Sequence, residues 1–158
     1  MNDVPYLLDA VGALPQKDMR SKVLRLEQSI REEIERGVPQ PEWETKHYFA
    51  EGLYGRVMVH PPGMLVVGKV HKKENFFILM KGTIQIVLDD GVKEFTAPDI
   101  LITKPGTKRV VLSQEGATYM TVHSTDKKTV EEVEKEVVED DPQAQYTALN
   151  QPKLKELT

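Results

Sequence analysis

Between residues 46 and 124 the chain breaks into short runs rich in Val, Ile, Phe and Thr, each closed by turn-forming residues. The runs cover 46–49, 53–59, 65–71, 76–80, 83–88, 92–96, 100–103, 108–112 and 118–123. Pro61-Pro62-Gly63, Lys104-Pro105-Gly106 and Glu115-Gly116 separate several of them, and Asp89-Asp90-Gly91 reads as a tight hairpin turn. Segments this short cannot be amphipathic helices of ordinary length. Many of them in succession predict a mainly all-β sandwich or barrel.

The flanks read differently. Residues 1–45 form an N-terminal arm whose stretch 16–36 predicts a helix. Val23, Leu24, Leu26, Ile30 and Ile34 recur there at spacings of three and four, Gly37 is placed as a C-cap, and Pro39 and Pro41 end the pattern. Residues 125–158 form a C-terminal helix and tail. Thr125 and Asp126 predict a cap for a helix over 127–138, with Val130, Val133 and Val137 on one stripe. Beyond Asp140-Asp141-Pro142 periodicity is lost, which predicts an extended or poorly ordered end unless a partner holds it.

Composition narrows the function classes. At 158 residues the chain is one domain with appendages, and 21 Lys and Arg against 25 Asp and Glu leave a net charge of -4. This balance argues against general nucleic-acid or anionic-membrane binding. There is no cysteine, hence no disulfide, thiolate metal site or cysteine nucleophile. No apolar run is long enough to span a bilayer, and no basic segment followed by an apolar core marks a secretory signal. Neither G-x-G-x-x-G nor a P-loop is present.

One spaced run stands out within the strand-rich zone: Gly63-x5-Lys69-x-His71-x3-Asn75-x6-Gly82. It resembles the first motif of the cupin family, in which two glycines frame a His-x-His pair and a glutamate. A weaker match to the second cupin motif places Pro98 at its first glycine, Lys104 at its proline, Gly106 at its second glycine, Arg109 at its histidine and Ser113 at its asparagine. The resemblance covers residues 46–124 and implies a double-stranded β-helix, or jelly-roll, barrel. In the family the four motif positions bind metal. Here they are Lys69, His71, Asn75 and Arg109, of which His71 alone is a conventional ligand. The expectation is therefore a barrel without metal or cofactor. Strand alternation predicts Lys69, His71 and Asn75 facing inward and Glu74 outward.

The same four residues form a candidate anion pocket, because Lys and Arg supply charged donors and Asn supplies both donor and acceptor. The alternative is that Lys69 and Arg109 are solvated at the barrel mouth or paired with Asp99. A second candidate is a metal-free isomerase or epimerase, with His71 as base, Tyr119 as acid and Lys69 stabilising an enolate. Tyr119, Thr121 and His123 share one face of their strand. No aspartate is placed to orient His71, so no catalytic residue is assigned and enzyme activity is left open, with a non-enzymatic role favoured. His47 and His60 read as structural or exposed, and Trp43 as an anchor for the arm or for a neighbouring subunit.

Both faces of the central strands are apolar. Val66, Val70, Phe76, Ile78, Met80, Ile84, Ile86 and Leu88 are predicted outward, and Leu65, Val67, Phe77 and Leu79 inward. An outer face of this kind needs a cover, from the 16–36 helix or from another subunit. This predicts a homo-oligomer formed through the outer sheet with the N-terminal arm contributing. The segment TKHYFAEGLYGR and the turn KPGTKRV also resemble cupin-like proteins of tailed phages and prophages. That resemblance implies a structural or accessory component of a phage particle, in contact with other phage structural proteins and located in the bacterial cytoplasm or the virion. The basic cluster Lys69, Lys72 and Lys73 lacks interleaved aromatics on its face and gives no nucleic-acid reading, and the acidic stretch 131–141 reads as a solvated helix face, so no nucleic-acid or membrane partner is expected.

Overall fold

A computed structural model describes residues 19–88, 91–142, 144 and 146–149. Its elements are α1 (Met19–Glu35), β1 (Glu44–Ala50), β2 (Leu53–His60), β3 (Met64–Val67), β4 (Asn75–Leu88), β5 (Gly91–Thr96), β6 (Asp99–Thr103), β7 (Val110–Ser113), β8 (Ala117–Ser124) and α2 (Val130–Val137). All pairings are antiparallel. One curled layer has the order β1-β2-β8-β4-β6, and the other β3-β7-β4-β5.

β4 belongs to both layers. Its first half pairs with β6 and β8, and its second half with β5 and β7. The sequence predicts two strands here, 76–80 and 83–88, with Gly82 between them. The structure joins them through a bulge, where the register shifts between Leu79 and Lys81. Gly82 adopts φ 89, and a Cβ there would lie 2.5 Å from the Gly116 carbonyl oxygen. A bulge adds one residue and bends the strand, so the inward parity changes across it. Phe77 and Leu79 point inward before it, and Ile84 and Ile86 after it. This corrects the outward assignment of Ile84 and Ile86. Together with Met58, Val111, Ala117 and Tyr119 they form the core between the layers.

β3 also reverses expectation. Val66 packs inward with Met64 and Tyr146, while Val67, with Leu65 beside it, faces out toward α1. There Val23 and Leu26 of α1, with Ile30 alongside, cover Val67, Val87, Val110 and Leu112. Leu24 falls off this stripe and is exposed. The helix therefore covers the outer face of its own second layer. A buried ion triad fixes it there, with Lys108 Nζ 3.0 Å from Glu27 Oε1 and 3.1 Å from Asp141 Oδ2. Burial raises the pKa of Glu27, and the bond to Lys108 acts against that shift. At its C-terminus α1 ends in a Schellman motif. Gly37, at φ 89, donates to the Ile34 carbonyl, and Val38 donates to that of Glu33.

α2 starts later than the sequence predicts, because Thr129 rather than Thr125 or Asp126 caps it in a reciprocal capping box with Glu132. Val133 and Val137 pack on Tyr54. The acidic helix face, expected to be solvated, instead meets the basic cluster. Lys69 pairs with Glu134, Lys72 donates to the Lys135 carbonyl, and Lys73 pairs with Glu136. The chain then returns to the barrel, and Ala144 and Tyr146 are buried, where the sequence predicts an extended or poorly ordered end. Residues 150–158 and the start of the predicted N-terminal helix, 16–18, lie outside the described residues. No helix among the described residues is long and apolar enough to cross a membrane.

Candidate anion site in the barrel

A cavity of about 50 Å³ opens between the two layers and is lined by Arg56, His71, Asn75, Arg109, Tyr119 and Tyr146, among others. Asn75 begins β4 on the inward parity of Phe77 and Leu79, as the sequence predicts. Arg109 precedes β7 on the inward parity of Val111, and its guanidinium lies 5.0 Å from the centre of the Phe77 ring. His71 reaches the cavity because the chain leaves the β3 ladder at Gly68. Gly68 donates 2.7 Å to the Arg109 carbonyl, and His71 then makes a single bridge with Val138.

That departure also separates Lys69 from the other three predicted residues. Lys69 does not line the cavity. Its ammonium lies 2.5 Å from Glu134 Oε1 and 5.1 Å from the centre of the Tyr146 ring, while its backbone N–H donates to the Tyr146 hydroxyl. The side chain is used to hold α2 and the C-terminal segment. Arg109 is not paired with Asp99, whose carboxylate accepts from the N–H of Ile100. Glu74 points outward and pairs with Lys104 at 2.7 Å, in line with strand alternation.

The cavity's place in Lys69's stead is taken by Arg56, which sequence reasoning passed over. It lies on the inward side of β2 with Tyr54, Met58 and His60. The signal was there: an arginine shares parity with Tyr54 and Met58 in a strand whose inner face must be buried. Arg56 Nη1 is 3.5 Å from Glu134 Oε2, so one carboxylate on α2 faces both Arg56 and Lys69. Tyr146 had no such signal, because only the returning tail brings it in.

Unsatisfied polar atoms collect at this place. Arg56 Nε, both ring nitrogens of His71, Asn75 Oδ1 and Arg109 Nε are buried without a hydrogen-bond partner. His123 Nδ1, on a ring stacked against His71 at 5.8 Å, is another. Buried polar groups cost free energy when unpaired, so such a cluster marks a place built to meet something polar. Burial, reinforced by the charges of Arg56 and Arg109, lowers the pKa of His71 to about 4. His71 is neutral at pH 7. No carboxylate among the described residues pairs with Arg109, and burial lowers its pKa as well. Arg56 and Lys69 thus share the carboxylate of Glu134, and Arg109 has no carboxylate partner among the described residues.

The Tyr119 hydroxyl is committed elsewhere. It lies 3.1 Å from His60 Nε2, whose Nδ1 is 3.3 Å from Ser113 Oγ. Burial raises the tyrosine's pKa and lowers that of His60 to about 4. His60 is therefore a fully packed core histidine, and Tyr119's partner is His60 rather than His71. His47 bonds the Tyr54 hydroxyl at 2.7 Å, and Trp43 meets Tyr146 edge-on at 6.5 Å.

The curled layers joined by one long strand, bent at the second glycine of the spaced run, settle the architecture. The fold is that of a cupin barrel. No family model matches the chain, and no curated protein matches it. Solved structures similar to it include a cupin superfamily protein from Desulfitobacterium hafniense DCB-2, at 10% identity and TM-score 0.49, covering 56% of this chain and 82% of that one. An RmlC-like cupin from Shewanella frigidimarina NCIMB 400 has 16% identity and TM-score 0.48 over 54% of this chain and 78% of its own. A cupin 2 conserved barrel domain protein from Salinispora arenicola CNS-205 has 21% identity and TM-score 0.46, covering 53% and 76%. The metal that the cupin resemblance implies does not fit the residues present. At the four motif positions His71 is the one conventional ligand, Arg109 brings a guanidinium in place of a second imidazole, Lys69 is turned to Glu134, and Asn75 is no substitute for a carboxylate.

Proposed function

We propose that this cupin barrel binds a small anion in the cavity between its layers. The observation that carries this reading is the convergence of Arg56, His71, Asn75 and Arg109 on one small space with unsatisfied polar atoms. Two buried guanidiniums with one carboxylate near them favour a negatively charged occupant, and charge-assisted bonds to Arg are the strong kind. Arg109 is the principal contact and Arg56 the second, Asn75 and His71 supply neutral polar contacts, and Lys69 holds Glu134 in place. A cavity of about 50 Å³ favours a small occupant. Calorimetric titration of the full chain with acetate and sulfate tests this. Binding that weakens by about tenfold or more in Arg109→Gln is expected. Absence of any anion binding by the wild type overturns it.

A second reading concerns assembly and has its own observation. The outer face of the β1-β2-β8-β4-β6 layer is apolar and bare: Phe76, Met80, Ile100 and Ile102 are 51%, 52%, 61% and 52% exposed. Phe76 pairs across with Ile102, and Ile78 with Ile100. Tyr48 and Leu53 extend the surface. This supports a homo-oligomer formed sheet against sheet. The described part of the arm is used within the subunit, since α1 covers the other layer. The structural role in a phage particle, with other phage proteins as partners, rests on sequence resemblance and requires such an oligomer.

A further inference from the structure

We propose that the anion is a small hydroxycarboxylate, a carboxylate with a hydroxyl on the adjacent carbon. This rests on the anion reading above and specifies its ligand. The unsatisfied groups around the cavity are of two kinds. Arg56 Nε and Arg109 Nε each present an N–H donor. Asn75 Oδ1 presents an acceptor, with Nδ2 on the side of the Lys73 carbonyl at 3.5 Å. Neither ring nitrogen of His71 makes a hydrogen bond of good geometry, but one is directed at the Thr107 carbonyl, which suits the N–H of the neutral imidazole and leaves the other nitrogen as an open acceptor.

Two donors and two acceptors therefore await partners. A simple carboxylate or a sulfate has acceptors only. It would satisfy the guanidiniums and leave Asn75 Oδ1 and one nitrogen of His71 bare. A hydroxyl brings one O–H to donate, so adding one to the carboxylate gives Asn75 Oδ1 the donor that a simple anion cannot supply. Met58, Val66, Phe77 and Val111 supply the apolar part of the wall, which suits a short carbon skeleton better than a second charge. The volume leaves room for an acid of about two or three carbons.

The preference for a hydroxyl should be large, because a site that hydrogen-bonds a hydroxyl pays to leave its buried partners unpaired when the analogue lacks one. Calorimetric titration of the full chain at pH 7 with glycolate, lactate, acetate and sulfate tests it. At least one of glycolate and lactate should bind about tenfold or more tighter than acetate and sulfate. In Asn75→Leu, shown to be folded by its amide NMR spectrum, the ratio of hydroxy acid to acetate affinity should fall toward one. Equal affinities of wild type for glycolate, lactate and acetate overturn the hydroxyl inference and leave the anion reading standing. Binding of none of the four overturns both.

Discussion

His60, His71 and His123 are each held neutral by burial, with pKa values lowered to about 4, about 4 and about 3. In the unfolded chain each returns to the ordinary 6.5. Their native pKa values are depressed, so between roughly pH 6 and 4 the unfolded state binds protons that the native state refuses. Stability is thus fully present above the unfolded value and falls as pH drops. The slope approaches about 4 kcal/mol per pH unit once all three titrate in the unfolded chain. Glu27, whose pKa is raised, acts in the opposite sense at the acid end, because its native state prefers the proton. Urea unfolding at intervals from pH 8 to 5 should show a steep loss, and a flat profile would refute the neutral-histidine assignment. The two framing glycines also part company at this scale. Gly63, at φ 80, has nothing within 4 Å of a built Cβ, while Gly82 meets backbone at 2.5 Å. Gly63→Ala should cost about 1–2 kcal/mol for its left-handed backbone. Gly82→Ala should cost more, by about 2 kcal/mol or above, since the bulge must also move. Chemical denaturation of the two variants compares them directly.

At the level of elements, α2 is a strap attached by charge. Lys69, Lys72 and Lys73 grip successive points along it, and Glu134 lies buried between Lys69 and Arg56. Removing one partner of a buried ion pair leaves the others uncompensated, typically at about 3–5 kcal/mol. Glu134→Gln should destabilise the fold by that order and raise amide exchange across Val130–Val137 first. Unchanged exchange there would show that the apolar contacts of Val133 and Val137 with Tyr54 hold the helix alone. The basic cluster and the acidic stretch were both legible in the sequence as charge runs. Their mutual pairing was not, because some sixty residues separate them and only the returning chain brings them together. The strand runs and turn glycines were legible because they are local. The late cap at Thr129 was missed because Thr125 offers the same chemistry four residues earlier, and instead accepts from Lys127 N–H in a turn.

For the molecule as a whole, the two apolar faces have different fates. One is covered by α1 and the other is bare. Sedimentation or light scattering should find a species larger than a monomer, and Ile100→Glu with Ile102→Glu should shift it to monomer without loss of the fold; a wild-type monomer at high concentration would remove the assembly reading. What the sequence by itself determined is the local grammar: strands at the observed places, two of them merged in β4, a glycine-framed run, an N-terminal amphipathic helix, and Asn75 on the inward face. Those follow from alternation and turn chemistry, which act over a few residues. Tertiary structure decided the rest. A single bulge between Leu79 and Lys81 reversed which of Ile84, Ile86 and their neighbours face the core, and the exit from the ladder at Gly68 sent Lys69 to Glu134 and His71 to the cavity. Arg56 joined the site from β2 and Tyr146 from the returning C-terminal segment. Parity is a running count along the backbone. One extra residue in a strand resets it, and the need for that residue comes from packing between distant segments.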